Sequence, residues 1–503
     1  MMSEQVYQQL MARVKDTAVI QSISWLLSWD QETVMPAAGA PHRGRQLALL
    51  AGLMHERLTA SATADLLGEV EASRWLVDAP PHARANVAET RRAHDRLLRV
   101  PRALVEETAR TVPVAQQAWA EARRASDFAR FRPHLEKMVA LKRDEARAIA
   151  GADGNPYDAL MDEFEPGAKI AEVAPFLDAL VDGLVPLVHA IGAKGNAPLP
   201  WAGRRFPVER QRVLCGALPA ALGLRADGSR LDTSAHPFCQ RIGHGDVRIT
   251  TRFDESDPRG AYFGVMHEAG HALYEQGLDP AHDGTPAGEA RSIAVHESQS
   301  RLWENLVGRG LPWWRHHYPF LRALFPEALH DVELDAFHRA INRVEPSLIR
   351  VEADELTYNL HIAVRVRLER GLIDGSLSVD ALPGAWNDEY RRALGLTPPD
   401  DAHGCLQDVH WACGAFGYFA TYALGNVYAA QLMEAARRAL PALDDDLARG
   451  QPEPLLAWLI ERVHRRGSMA RGARIIEDAS ERAPDAAAFL RYVRQKYAPL
   501  YGV

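Results

Sequence analysis

Cysteine is scarce: Cys215, Cys239, Cys405 and Cys413 are the only four in 503 residues. Their spacing fits no CxxC metal site, and so few form no disulfide framework. A reducing compartment is expected. No window approaches eighteen uninterrupted apolar residues, so no membrane span is expected. The N-terminal stretch MMSEQVYQQLMARVKDTAVI carries acids and amides early and no long apolar run, which argues against a signal peptide. A basic stripe is also missing. Lys and Arg number 58 against 66 Asp and Glu, a formal net charge of −8. That balance argues against nucleic-acid and anionic-membrane partners. There is no fixed-period repeat, no low-complexity tract, no phosphate loop and no nucleophile elbow; GAKGN at Gly192–Asn196 lacks the spacing of either motif. These absences predict a soluble, cytoplasmic protein.

What is present is ordinary in bulk and specific in detail. Hydrophobic residues make up 47% and charged residues 25%, as in globular proteins. The length exceeds a usual single core, so two lobes or one large helical body are expected. Helical periodicity dominates the first ~190 residues, with loops at Gly151–Pro156 and Gly192–Gly203. Pro101 suits the start of a long helix running past Trp119. DVRITTRF, Asp246 to Phe253, alternates instead: Asp246, Arg248, Thr250 and Arg252 share one face, and Val247, Ile249, Thr251 and Phe253 the other. That pattern predicts a strand with one buried face; its charged face suits either a cleft lining or plain solvent. A helix comes next, with Asp257 as cap, Pro258 at its first position and Gly277 as its stop. Further helices are expected over Ala287–Gly308, Pro346–Gly371 and Phe416–Leu440.

The helix after the strand holds VMHEAGHALYEQG, Val265 to Gly277. Residues four apart share a helix face, about 6 Å apart, so His267 and His271 can bind one metal ion. Glu268 points to the side, where it can serve as a general base toward water. Composition alone gives an HExxH in about one chain of this length in twenty, so the motif needs support. Gly270 inside the helix costs ~1 kcal/mol against Ala and predicts close packing of a neighbouring helix bearing a third ligand. A catalytic zinc site needs that third ligand and one open position. Glu289, Glu297 and Glu304 compete for it. Glu297, 297 − 271 = 26 positions after the second histidine, is preferred because it sits mid-helix among apolar residues, where a buried carboxylate needs a partner.

Six stretches in order resemble the M32 family of metallocarboxypeptidases, the thermostable carboxypeptidase Taq type. They are HPF at His236–Phe238, DVRIT at Asp246–Thr250, HEAGH at His267–His271, HESQ at His296–Gln299, IRVEAD at Ile349–Asp354 and GCLQDVHW at Gly404–Trp411. SWDQETVMP near the N-terminus and FGYFATYALGN after Trp411 are similar to the family too, so the resemblance covers nearly the whole chain. One departure is Ala420, where Pro is expected.

The resemblance implies a mainly α, saddle-shaped metallopeptidase body similar to neurolysin, with a deep groove and a small β element beside the HExxH helix. It implies one peptidase domain over 1–503, with two helical lobes flanking the groove, and a homodimer. It implies release of single C-terminal residues from peptides with broad specificity, using one divalent ion per chain, Zn²⁺ or Co²⁺. The ligands would be His267, His271 and Glu297, with Glu268 as base. Arg350 is the first candidate for the substrate's terminal carboxylate, because a guanidinium donates two parallel hydrogen bonds; the alternative is a helix ion pair with Asp354. Arg248 is the second candidate. His410, Tyr418 and Tyr422 resemble the oxyanion donors of similar helical peptidases, against a plain core role. His236, Asp246, Thr250 and Gln299 are expected to line the groove or orient groups at the site. Two rival readings stay open: a zinc endopeptidase, and a peptide-binding protein with a structural metal. The intact Glu268 argues against the second.

Overall fold

The computed structural model describes residues 2–503. Helices dominate, with one three-stranded sheet. The chain divides into two compact units. The first holds the residues up to 98, 199–341 and 432–483; the second holds 99–198, 342–431 and 484–503.

In the first unit, the long helix Met2–Thr33 packs on Ala40–Thr59 and Ser61–Glu71. Val6, Tyr7, Leu10 and Met11 recur at helical spacing and are buried against Leu67, Val70, Ala83 and Val87. The sheet consists of β1 (Ser229–Thr233), β2 (Cys239–Gly243) and β3 (Asp246–Thr251), in the order β1-β3-β2. β1 runs parallel to β3 and β2 antiparallel, so Ile249 lies opposite both Leu231 and Cys239. The expected strand is therefore the central one, and its inward residues Val247, Ile249 and Thr251 are buried. Thr250, on the opposite face, is buried as well, because its hydroxyl meets Ser234 Oγ and Phe238 N.

The HExxH helix spans Arg259–Gly277 and packs on β2 and β3. Pro258 precedes it, and the Asp257 carboxylate accepts from Arg259 N at 3.0 Å. Gly277 ends the helix against His464, whose Nδ1 lies 2.1 Å from where a Cβ would sit. The next helix, Ile293–Arg301, is capped by the Ser292 hydroxyl, which accepts from Val295 N. It continues as a π-helix over Leu302–Val307. The expected α-helix over 287–308 is thus shorter and irregular at its end. The two helices meet at Gly270: a Cβ there would lie 2.6 Å from Ser300 Cα and 2.7 Å from Gln299 O. The neighbouring helix anticipated from this glycine is the one that carries Glu297.

In the second unit, Tyr358–Asp374 is buried on nearly every side and packs on Phe128–Ala150, Ile170–Lys194 and Leu382–Leu394. The expected helix from Pro346 begins only at Tyr358. Asp354 stops it short, accepting from Glu345 N, Leu356 N, Thr357 N and Thr357 Oγ1, while Arg350–Glu352 forms a 3₁₀ turn. Among the described residues, one helix, Ile170–Lys194, is long and apolar enough to cross a membrane by length and composition. It carries Glu172, Asp178 and Asp182 and buries the stripe Ile170, Val173, Leu177, Leu180, Leu184, Val188 and Ile191.

Gly270→Ala tests the close approach. The methyl group has no room without moving backbone, so a loss of about 1–3 kcal/mol is expected, read as a lowered Tm. Metal affinity, measured by chelator competition, should fall with it because Glu297 rides on the displaced helix. An unchanged Tm and affinity would show that the two helices tolerate separation.

Candidate metal centre and active site

His267, His271 and Glu297 converge, their ligand atoms lying within 4.8 Å of one another. Nε2 of His267 is 3.6 Å from Glu297 Oε2, and Nε2 of His271 is 3.5 Å from the same oxygen. The opposite nitrogen of each ring is engaged elsewhere. His267 Nδ1 lies 2.9 Å from Glu304 Oε2. His271 Nδ1 lies 2.6 Å from His296 Nδ1, and His296 Nε2 lies 2.8 Å from Glu275 Oε1. A carboxylate only accepts, so Glu304 holds a His267 proton on Nδ1 and leaves Nε2, on the Glu297 side, as the nitrogen open to a metal. His296 Nδ1 stands in the corresponding place for His271. Two imidazole nitrogens and one carboxylate oxygen, each backed by a hydrogen-bonding partner, fit a divalent transition-metal ion.

The three competing acids are thereby separated. Glu297 lies between the histidines. Glu304 stands behind His267. Glu289 pairs with Arg241 at 3.1 Å. Arg301 meets Glu297 Oε1 at 2.7 Å and Glu304 Oε2 at 3.2 Å. Burial alone would raise the Glu297 carboxyl, but Arg301 and then His267 hold it well below the usual range. Glu304 is likewise buried and held at about 2, by Arg301 first and then by its bond to His267. Burial pulls His267 down, yet Glu297 and Glu304 outweigh it and lift the ring to about 9. A bound cation displaces that proton. Burial takes His271 down to about 4. Glu268 is 6% exposed, and burial raises its carboxyl to about 7, opposed by His267.

Around this centre the structure places the other first-unit candidates differently. His236 is exposed on the loop between β1 and β2. Arg248 directs Nε and Nη2 to Asp246 at 2.9 and 2.8 Å and lies over the Trp29 ring at 4.3 Å. Asp246 is thus its partner within the strand, through two of its five N–H donors. Gln299 is 0% exposed; it faces His464 Nε2 at 3.0 Å and Ser298 Oγ at 3.0 Å. Its burial removes it from a groove lining, the first of its two expected roles: it fastens the Glu297 helix inside the core.

In the second unit Arg350 is 6% exposed. It is paired not with Asp354 but with Asp408, through Nε and Nη2 at 2.9 Å each, and Nη1 donates to Tyr358 Oη at 3.1 Å. Those contacts occupy three of its five N–H donors. Asp408 also receives Arg365 Nε at 2.6 Å. Burial would raise Asp408, but Arg365 and Arg350 hold it well below the usual range. His410 lies beside this cluster, its Nδ1 3.9 Å from Asp408 Oδ1. Burial lowers it to about 4, Asp408 opposing and both arginines assisting. It is therefore neutral at pH 7. The His410 ring centroid is 5.5 Å from Tyr418 and 6.5 Å from Tyr422, and the Arg350 guanidinium carbon is 5.3 Å from the Tyr422 ring. Arg350, His410, Tyr418 and Tyr422 thus form one cluster. Sequence reasoning does not single out Arg365 or Asp408. Asp408 lies inside GCLQDVHW, but only tertiary structure shows that it holds two arginines.

A mainly helical body with HExxH and a downstream glutamate converging on one point defines a metallopeptidase. The family model for carboxypeptidase Taq (M32) metallopeptidase matches residues 9–497, and the chain belongs to that family. It is 46% identical over 511 residues to thermostable carboxypeptidase 1 of Thermus thermophilus, covering 100% of both chains. It is 39% identical to carboxypeptidase 1 of Bacillus subtilis, covering 95% of each. The structure of an M32 carboxypeptidase from Deinococcus radiodurans superposes with a TM-score of 0.96 at 41% identity, covering 99% of this chain and 100% of that one. Trypanosoma cruzi metallocarboxypeptidase 1 gives 0.94 at 35% identity, covering 98% and 99%. The activity is that of a metal-dependent carboxypeptidase acting on peptides.

Two measurements test these networks. Glu304→Gln should weaken metal affinity about 10–100-fold, read by chelator competition; unchanged affinity would mean that Glu304 does not fix the ring of His267. Asp408→Asn leaves two buried arginines without their counter-charge and should cost about 3–5 kcal/mol at pH 7. Because the folded carboxyl is held low, its contribution is complete above the unfolded value near ~4 and is lost as pH falls through the folded value. The gap between parent and variant in denaturant titrations should therefore narrow in acid below pH ~4. A gap constant with pH would contradict the pairing.

Proposed function

We propose that this enzyme releases single C-terminal residues from peptides with broad specificity, using Zn²⁺ held by His267, His271 and Glu297, with Co²⁺ as the alternative ion. The observation that carries the metal assignment is the convergence of both Nε2 atoms on Glu297 Oε2. Zinc, when bound, supplies Lewis acidity toward water and the scissile carbonyl. Glu268 takes the proton of the attacking water at its carboxylate and delivers it to the nitrogen of the leaving residue. His410, Tyr418 and Tyr422 donate hydrogen bonds to the oxygen on which charge develops. Arg350 receives the free carboxylate on its remaining N–H donors, its orientation set by Asp408 and Tyr358. His236, exposed on its loop, contacts the peptide. We further propose a homodimer in the cytoplasm. The family resemblance supports the dimer, and the scarcity of cysteine supports the compartment.

One N-blocked tripeptide, prepared as the free acid and as the C-terminal amide, separates exopeptidase from endopeptidase. Products are read by mass spectrometry with and without chelator. Loss of one residue from the free acid only, abolished by chelator, is the expected result. Equal cleavage of both forms would establish an endopeptidase and remove the role given to Arg350. Glu268→Gln should retain metal while kcat falls about 10²–10⁴-fold; retained activity would displace Glu268 as the base.

A further inference from the structure

Glu369 lies in the middle of Tyr358–Asp374 and is 0% exposed. It sits four residues after Arg365, on the same helix face. Arg365 holds Asp408 and Gln407, and Glu369 holds the chain just beyond them. Its Oε2 accepts from Trp411 Nε1 at 2.9 Å, and its Oε1 accepts from Tyr157 Oη at 2.8 Å and from Gly417 N. All three donors are neutral. Lys142, the cation that favours its charge, is paired to Glu145 at 2.7 Å. A buried carboxylate satisfied by neutral donors is a costly way to fill a core, so its value lies in the groups those bonds fix.

Trp411 and Gly417 are the two ends of a tight loop. Within it, Ala415 N and Cys413 N both donate to His410 O, at 2.9 and 3.1 Å. Gly414 and Gly417 have φ of 75° and 87°. At Gly417 a Cβ would lie 2.7 Å from Met161 N, so the loop is pressed against the helix Pro156–Met161 that also carries Tyr157. His410 immediately precedes this loop and Tyr418 comes immediately after it. One carboxylate therefore ties down the residue after His410 and the residue before Tyr418.

We propose that Glu369 is a positioning residue for catalysis: by clamping both ends of the 411–417 loop it fixes His410 and Tyr418 in the geometry that meets the transition state. This rests on the reading of His410 and Tyr418 as oxyanion donors. Glutamine at 369 keeps the size but turns one oxygen into an N–H₂ that faces a donor, so one end of the clamp must open.

A double-mutant cycle with His410→Ala on the metal-loaded enzyme tests it. The values of kcat, KM, Tm and metal content are measured for E369Q, H410A and the pair. The expected result is a fall in kcat of about 10–100-fold for E369Q, with KM within about twofold and metal retained, and a double variant no slower than H410A alone. A merely structural carboxylate would lower Tm while leaving kcat of the folded enzyme unchanged, and that outcome overturns the proposal. Multiplying losses in the double variant also overturn it, because Glu369 would then act independently of His410. If H410A itself keeps full kcat, the donor reading fails first and the proposal falls with it; if H410A is impaired and E369Q is not, only the positioning role fails. Should E369Q not fold, Trp411→Phe removes a single donor from the clamp and enters the same cycle with the same expectations.

Discussion

The contact that the metal centre depends on is a backbone approach, not a bond. At Gly270 the HExxH helix comes within reach of Ser300 Cα and Gln299 O, closer than any side chain permits. Two histidines on one helix turn present a pair of nitrogens but no enclosure. Only a second helix pressed onto that turn can bring Glu297 Oε2 to within 3.6 Å of both Nε2 atoms. The helical cost of glycine, about 1 kcal/mol, is small beside the effect of losing a ligand. Gln299 and His464 hold the same seam from its other side, since Gln299 reaches His464 and His464 in turn abuts Gly277.

In each unit arginines keep particular carboxylates ionised: Arg301 does this for Glu297 and Glu304, and Arg350 with Arg365 does it for Asp408. Such pairs add little net stability over apolar packing, yet breaking one is expensive. They are better understood as devices that fix orientation. Glu304 fixes which nitrogen of His267 is protonated. Asp408 fixes the plane of Arg350. Glu369 has no arginine: burial raises its carboxyl to about 7 against three neutral donors, and it secures a loop.

Much of this is legible in the sequence, for reasons tied to periodicity. The HExxH helix, its Asp257 and Pro258 start and its Gly277 stop all depend on neighbours within a few positions, and they appear where spacing puts them. β3 is legible because it alternates; β1 and β2 are five residues each, too short for alternation to register. Three helices begin later than their patterns suggest, at Ile293, Tyr358 and Ala420. Asp354 looks like an i,i+4 partner of Arg350, but its short carboxylate satisfies four donors of the turn before Tyr358 and so ends the helical path there. Gln299 and Arg248 look like site residues by their motif position. His464, which Gln299 faces, and the Trp29 ring under Arg248 lie far along the chain, and no local pattern reveals them, whereas the Asp246 partner of Arg248 is two residues away on the same face. The partners of Glu369 are hidden for the same reason.

The two histidine ligands are not backed alike, and the difference is physical. His267 leans on a carboxylate directly, so its Nδ1–H is drawn toward a full negative charge and its Nε2 is made a stronger donor to metal. His271 leans on His296, and the charge stands one ring further off, at Glu275. Glu275 is in turn 3.6 Å from Arg241, which also engages Asp283 and Glu289. Polarisation reaches His271 through an intervening ring and is offset by that cation. A site in which both ligands carried direct carboxylates would bring Glu275 as close as Glu304, adding a second negative charge beside Glu297 and Glu268. Repulsion among those acids would raise the Glu268 carboxyl and blunt it as a base. Interposing His296 orients His271 by hydrogen bonding while keeping that extra charge at a distance from Glu268, whose carboxyl is already raised by burial and, against His267, by Glu297 and Glu304.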